Sequence, residues 1–550
     1  MISIKSLFNR YAGKAGLVLL LVIWIAVLAY RPALWTVIGA LGVSATVIGL
    51  IFFISGKKLF TFVTASVLLI LLWLINNIKR AFWKERLFFD DFAVLTDPSN
   101  FGTVFHYPLP AILTFAVVIL AVWCMVRAFR KETGKCSWMM RTAIGVPLIL
   151  LGVWVSVFSV EKGQLAWMQT LSKGSNIIAN VLMSAQVEYK SPALRMASNE
   201  EFPSVPKVEP TTGPLPDIVL LLQESTMDPR MFKGLDYSTL PTLEMFRSPY
   251  ATEQGPLRVH TYGGGTWRSE FSALTGLSSD DFTPLAGSVF YSAVFHVQDS
   301  LFRRLKAAGY TVVVVSPFVE GAYNSGTAYR TLGADEVFHP SDFGYPCDPR
   351  KNLWKIRTAD IIELVKKAMA KYDGPVAVYA LTMQEHGPYP GSEVKNPKLK
   401  SLAGFGAKNE ELPNLESYVQ RIEDASGPVV EFDRWVQERD KPTVMVRFGD
   451  HQPAMKWNAG YVSTESQPDY LANFALVDNR SKEHKINTSM TDIVFLPGMI
   501  LERLPLEMGR FFETNTQMRN LCGGHYIDCQ NKALLKAYQH EIFVNQRIAE

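Results

Sequence analysis

Cysteine is scarce in this sequence, with five among 550 residues and none in a C-x-x-C pair. That spacing excludes a thiolate zinc site of the finger or ribbon type. A dominant charge is also missing: 55 Lys plus Arg against 51 Asp plus Glu leaves +4. No basic stripe with interleaved aromatics occurs in the second half, so nucleic acid is not expected as a partner. The loop G-x-x-x-x-G-K-[ST] is absent, which excludes a nucleotide-binding P-loop. There is no internal repeat and no low-complexity tract.

Long apolar runs fill the first 160 residues. Segments 15–30, 34–55, 59–77, 109–129 and 142–159 are each about as long as a helix needs to cross ~30 Å of hydrocarbon. The first follows Lys5, Arg10 and Lys14 but lacks a small-residue cleavage site, so it reads as a retained helix rather than a leader. With the N-terminus in the cytoplasm, Lys57, Lys58, Arg127, Arg130, Lys131, Lys135 and Arg141 join those three inside. Arg31, Lys79, Arg80, Lys84 and Arg86 lie outside. The asymmetry follows the positive-inside rule, and five spans then leave everything after residue 160 outside the cytoplasm.

The organisation expected is a five-helix membrane domain at 1–160, an interfacial helix and linker at 161–215, and a catalytic domain at 216–550. The helix rests on apolar positions from Leu165 to Leu182, and the linker on the Pro-rich NEEFPSVPKVEPTTGPLP. The aromatic and charged stretch RAFWKERLFFDDF reads as an interfacial belt or a surface that steadies the outer domain. Cys522 and Cys529 could close a small loop in an oxidising space, whereas Cys124 and Cys136 lie towards the cytoplasmic side and Cys347 has no obvious partner.

From Asp217 the pattern changes. DIVLLLQES, TVVVVSPF, GPVAVYALTM and TVMVRFGDH are short apolar runs of the kind that form buried parallel strands. Helix-like stretches such as SLFRRLKAAG and TADIIELVKKAMAKY separate them. The alternation predicts an open α/β sheet covered on both faces, with chemistry beyond the carboxyl ends of its strands. Those ends carry Glu224, then Glu385-His386, then Asp450-His451. Between the first two runs lies HTYGGGTWRSEF, with Thr266 directly after three glycines and just ahead of Arg268 and Glu270. Singly, each acid could be a helix cap and Thr266 an N-cap with Glu270 nearby. Together they offer O, O, O and N ligands for one divalent cation such as Mn²⁺ or Zn²⁺.

The motifs LLLQES, GGGTWRSEFSALTGL, LTMQEHGPYP and RFGDHQP, behind apolar spans, resemble those of the lipoteichoic acid synthase and phosphoglycerol transferase group of the alkaline phosphatase/sulfatase superfamily. The resemblance covers nearly the whole chain and implies a multi-span membrane domain followed by a sulfatase-like α/β domain. It places Glu224, Thr266, Asp450 and His451 on one divalent metal, Mn²⁺ foremost with Zn²⁺ or Mg²⁺ as alternatives. It makes Thr266 the nucleophile and puts His386 at the substrate phosphate or leaving group.

Arg268, Tyr323 and Ser325 fall at substrate-binding positions, with two departures. Tyr323 stands for the tryptophan of lipoteichoic acid synthases and Ser325 for an arginine, which puts the glycerol-phosphate pocket in question. The implied activity moves phosphoglycerol from phosphatidylglycerol to an extracytoplasmic glycan or glycolipid, in a bacterial cytoplasmic membrane. Phosphoethanolamine transfer from phosphatidylethanolamine is the alternative, followed by an inactive lipid-binding relative. A sulfatase is disfavoured, since Cys347-Asp348-Pro349-Arg350 has its arginine one place too early for the formylglycine motif.

Overall fold

The computed structural model describes residues 34–550, apart from 84–85, 90, 93–107, 171–176, 186–190, 233–235, 237, 239–242, 318–321, 346–355, 396, 401–411, 456–469 and 487. The expected span at 15–30, most of the loop at 93–107 and Cys347 to Arg350 lie outside the described residues. Contacts divide the chain into two compact units, one of helices up to Ala185 and one from Ser191 onward.

Small residues decide the packing of the first unit. Four described helices are long and apolar enough to span a membrane: α1 (Leu34–Ser55), α2 (Lys58–Trp83), α3 (Pro108–Lys131) and α4 (Trp138–Thr170). They coincide with the remaining four expected spans. α1 and α4 run antiparallel in close contact, because a Cβ at Gly42 would stand 2.8 Å from the Gly152 carbonyl oxygen and one at Gly152 would stand 2.7 Å from that of Gly42. Between helices in lipid, where no hydrophobic force separates partner from solvent, such backbone approach is the main source of association. Large apolar side chains such as Ile112, Phe115, Ile119, Leu150 and Trp154 point outward instead.

α4 continues through Pro147 to Thr170, past the apolar stretch long enough to span a membrane, which ends at Gly163. The separate α5 (Ile177–Ala185) buries Ile177, Ile178, Ala179, Asn180 and Met183, and so packs into the helical unit. The described residues after α2 contact the same unit: Asp91 pairs with Lys79 at 2.7 Å, and the Phe89 amide donates to Ser184 Oγ at 2.7 Å.

In the second unit the four apolar runs become neighbours in one sheet. The strands are β1 (Asp217–Gln223), β2 (Glu253–Arg258), β3 (Thr311–Val315), β4 (Glu336–Phe338), β5 (Val376–Leu381), β6 (Thr443–Gly449), β7 (Leu471–Asp478), β8 (Lys485–Ile486) and β9 (Thr491–Asp492). Their order is β4-β3-β5-β1-β6-β7-β2-β8, with β9 on β2. The first five of that order are mutually parallel, whereas β7 is antiparallel to both β6 and β2.

Strand residues alternate between two apolar cores, since successive side chains point to opposite faces. Ile218, Leu220 and Leu222 pack with α6 (Thr266–Thr275), α7 (Leu301–Ala307) and α8 (Ser325–Leu332). Val219 and Leu221 pack with α9 (Thr358–Met369) and α10 (Leu412–Gln437). Each fully buried Leu or Ile contributes roughly 1.5–3 kcal/mol of transfer free energy. Covering both faces explains why the runs are apolar throughout rather than alternating. In register, Leu222 stands beside Leu381 and Phe448, so β5, β1 and β6 end level and their following residues share one rim.

Candidate active site

That rim is where the strand-end residues meet. Glu224 follows β1 and is fully buried. Ser225 takes a left-handed φ of 50°, and its amide donates to Asp450 Oδ1 at 2.8 Å while its hydroxyl donates to Glu224 Oε1 at 2.9 Å. The β1 and β6 turns press together: a Cβ at Gly449 would stand 2.0 Å from the Thr226 carbonyl oxygen, so only glycine fits there. Asp450 Oδ1 accepts a second amide, that of His451, at 2.8 Å. Its other oxygen, Oδ2, is buried without a hydrogen-bond partner.

His451 contributes the nitrogen. Its Nδ1 lies 2.9 Å from the Gln452 carbonyl, which can only accept, so Nδ1 carries the proton and Nε2 presents a lone pair. Nε2 is buried without a hydrogen bond, 3.3 Å from Glu224 Oε1 and 3.2 Å from Asp450 Oδ2. One ligand atom from each of Glu224, Asp450 and His451 lies within 4.8 Å of the others. Burial, then the charge of Glu224, pushes the Asp450 carboxyl up to about 7. For His451 burial opposes the charged ring, but Asp450 and Glu224 outweigh it and the pKa rises. Two carboxylates and an orphaned imidazole nitrogen at this depth are costly alone, and a divalent cation with O and N ligands fits them.

The triple glycine delivers Thr266 to this cluster. Gly263, Gly264 and Gly265 have φ of 66°, 151° and 78°, a run of backbone that L side chains resist. Gly265, not Thr266, is the N-cap of α6, and it makes no side-chain capping bond. The Thr266 hydroxyl donates instead to Glu224 Oε2 at 3.0 Å. Ser269, one turn further on, donates to the Asp450 carbonyl and fastens the helix to the β6 turn.

His386 stands on the open side. Its Nε2 is 3.9 Å from Glu224 Oε1, its Nδ1 is 2.6 Å from the Gly387 carbonyl, and a quarter of its side chain is exposed. Burial holds its imidazolium below the ordinary range. Sequence reasoning missed the groups that hold this loop. Arg421 of α10 donates to the carbonyls of His386 and Pro388. Glu385 accepts from Thr358 at 2.6 Å and Thr382 at 2.9 Å, and burial pushes it up to about 7. Only the adjacency of Glu385 to His386 hinted at such a role.

The substrate-position residues are arranged differently. Arg268 donates to Ser279 Oγ at 3.0 Å and to Asp280 at 2.6 Å. Tyr323 is buried, its ring 5.6 Å from that of Trp267 and 6.2 Å from that of Phe290. Ser325 opens α8 and is also buried. Glu270, which would neighbour the cap in the alternative reading of Thr266 as an N-cap, lies in the core, accepting from Tyr329 at 2.5 Å and Tyr379 at 2.8 Å. Burial, only partly offset by the tyrosines, pushes its carboxyl up to about 7.

Residues 216–504, which contain every one of these groups, match the sulfatase family. The chain belongs to the sulfatase family. Its family relatives include an uncharacterized protein of Haemophilus influenzae, 32% identical over 505 residues that cover 88% of this chain and 90% of that one. A Rhizobium meliloti protein provisionally named for cyclic β-1,2-glucan modification is 26% identical over 373 residues, 65% of this chain and 55% of that one. Among solved structures, the integral membrane lipooligosaccharide phosphoethanolamine transferase A of Neisseria meningitidis superposes with a TM-score of 0.50. It is 12% identical, covering 82% of this sulfatase-family chain and 88% of that one. At that identity the likeness is one of fold: apolar helices followed by a sulfatase-type α/β domain.

Proposed function

We propose that this chain is a phosphotransferase of the cytoplasmic membrane, its catalytic domain outside the cytoplasm, that moves phosphoglycerol from phosphatidylglycerol to a glycan or glycolipid hydroxyl. One observation carries the reading: the first hydroxyl of α6 is aimed at Glu224 rather than used as a cap. In this reading Glu224, Thr266, Asp450 and His451 hold one divalent cation, with Mn²⁺ the first candidate. When bound, such an ion lowers the hydroxyl pKa and neutralises charge developing on the phosphate.

Thr266 Oγ1 gives up its proton to His386, whose ring is neutral at rest because burial disfavours the imidazolium. It forms a bond to phosphorus while the bond from phosphorus to the diacylglycerol oxygen breaks; the proton taken later from the acceptor returns to Thr266. His386, on the exposed side of Glu224, supplies the proton to diacylglycerol and later removes one from the acceptor hydroxyl. The acceptor oxygen then takes the phosphoglycerol and Thr266 is restored. Arg421 and Glu385 keep His386 in place. Tyr323 and Ser325 face the head group in this scheme, and Arg268 steadies the turn at Asp280. The relative named for glucan modification supports a glycan acceptor.

The test uses the full chain in detergent with Mn²⁺ and radiolabelled phosphatidylglycerol or phosphatidylethanolamine in parallel. The expected result is a phosphoglycerol adduct on Thr266 by mass analysis, and none in Thr266→Ala. A phosphoethanolamine adduct would transfer the reading to that head group, and turnover retained in Thr266→Ala would overturn the mechanism.

A further inference from the structure

A carboxylate in the core one turn from the nucleophile calls for an explanation that capping no longer provides. Glu270 follows Thr266 by four residues, so the two side chains rise from one face of α6. It is fully buried. Its Oε1 accepts the hydroxyls of Tyr329 on α8 and Tyr379 on β5, and Tyr323 also favours its charged form. One carboxylate thus joins the helix that carries Thr266, the strand that leads to His386, and the helix that begins at Ser325.

The segment it reaches is strained. Tyr323 and Asn324 have φ of 39° and 60°, two consecutive L residues in the left-handed region. Such backbone persists only where the surroundings over-determine it. The surroundings here are the Trp267 and Phe290 rings beside Tyr323, the Asn324 amide donating to the Phe290 carbonyl at 2.6 Å, and Tyr329 below, itself fixed by Glu270. Trp267 is the residue after the nucleophile, so the strained turn is held from α6 at two points.

We infer that Glu270 is a positioning residue that sets the distance between Thr266 and the Tyr323–Ser325 turn, and through it the preference for the head group. The inference rests on the proposed role of Thr266 as phosphoryl acceptor. Phosphate itself is held at the Glu224 rim and does not depend on Glu270. The alcohol attached to phosphate extends toward the turn and does.

The experiment is calorimetric binding to the Mn²⁺-loaded full chain in detergent, with inorganic phosphate, sn-glycerol 1-phosphate and phosphoethanolamine as probes. In the wild type one phospho-alcohol should bind about tenfold more tightly than phosphate, a free-energy difference of about 1.4 kcal/mol. Glu270→Ala should shrink that preference to about twofold or less, with phosphate affinity and manganese stoichiometry unchanged. Glu270→Gln, which keeps the shape, should restore part of it. If Glu270→Ala does not fold, Tyr329→Phe combined with Tyr379→Phe removes both hydrogen bonds and should give the same loss. A preference that survives these changes, an equal loss of phosphate and manganese, or no preference in the wild type would each overturn the inference. Failure of lipid transfer alongside this binding pattern would count against the transferase reading alone.

Discussion

Two buried histidines in the second unit lie against carboxylates, and they do opposite things. His451 gives Nδ1 to a backbone carbonyl and turns Nε2 toward two acids, Glu224 and Asp450. His260, just after β2, has both nitrogens committed: Nδ1 lies 3.0 Å from Ser278 Oγ and Nε2 lies 2.9 Å from Asp492 Oδ1. That Ser-His-Asp set is buried throughout, and it ties the exit of β2 to β9. A histidine with both nitrogens engaged and one acid beside it is a strut. One with a lone pair facing two acids is, in the function proposed above, a ligand. Residue type does not separate the two; the second partner of the ring does.

Replacing a residue in each cluster tests that contrast. The largest effect is expected from Asp450→Asn or His451→Gln, which should lower turnover by at least about 10²-fold and abolish stoichiometric metal binding, read by metal analysis of the purified chain. Normal metal content in either variant would break the comparison. His386→Ala should lower turnover by about 10²-fold with metal content intact, and equal losses of both would place His386 among the ligands.

His260→Ala should act on the fold. Its metal content should stay normal, while thermal unfolding of the domain should report a loss of roughly 3 kcal/mol from the stranded Asp492. Metal loss without destabilisation would contradict its role as a strut.

The smallest effect concerns pH. Asp281 lies near His260 and accepts from Tyr526 at 2.5 Å and Gln539 at 2.9 Å, and burial pushes it up to about 7. A carboxyl whose pKa is raised on folding contributes stability that is complete below its unfolded value and lost as pH rises through the folded one. The window for Asp281 therefore runs from the ordinary aspartate range to about pH 7. His260, raised because Asp492 outweighs burial, acts in the same direction above its ordinary value. The unfolding temperature at saturating Mn²⁺ should fall less between pH 5 and pH 8 in Asp281→Asn than in the wild type, and identical slopes would remove Asp281 from the account.

Much of the architecture was legible because it is local. Spans and buried strands are contiguous apolar runs, and the strand-end positions of Glu224, His386, Asp450 and His451 followed from where those runs stop. The three glycines before Thr266 stand out in the sequence, and their three positive φ values give the physical reason for them. β7 and its antiparallel pairing with β2 were missed, since LANFALVD carries no register signal of its own. The bonds of Arg268 to Ser279 and Asp280 were equally illegible, since they depend on how the chain turns after α6.

The sequence by itself determined the membrane helices, the α/β class, the order of the strand-end motifs and the glycine turn, all of which depend on hydropathy and backbone freedom over a few residues. Only the tertiary structure decided which acids come together at the candidate cation site, that Glu270 belongs to a tyrosine network, and that both nitrogens of His260 are bonded. Those outcomes depend on partners 59 residues away for Glu270 and Tyr329, and 232 away for His260 and Asp492. The sheet order that brings such partners together is not written in any single stretch of chain.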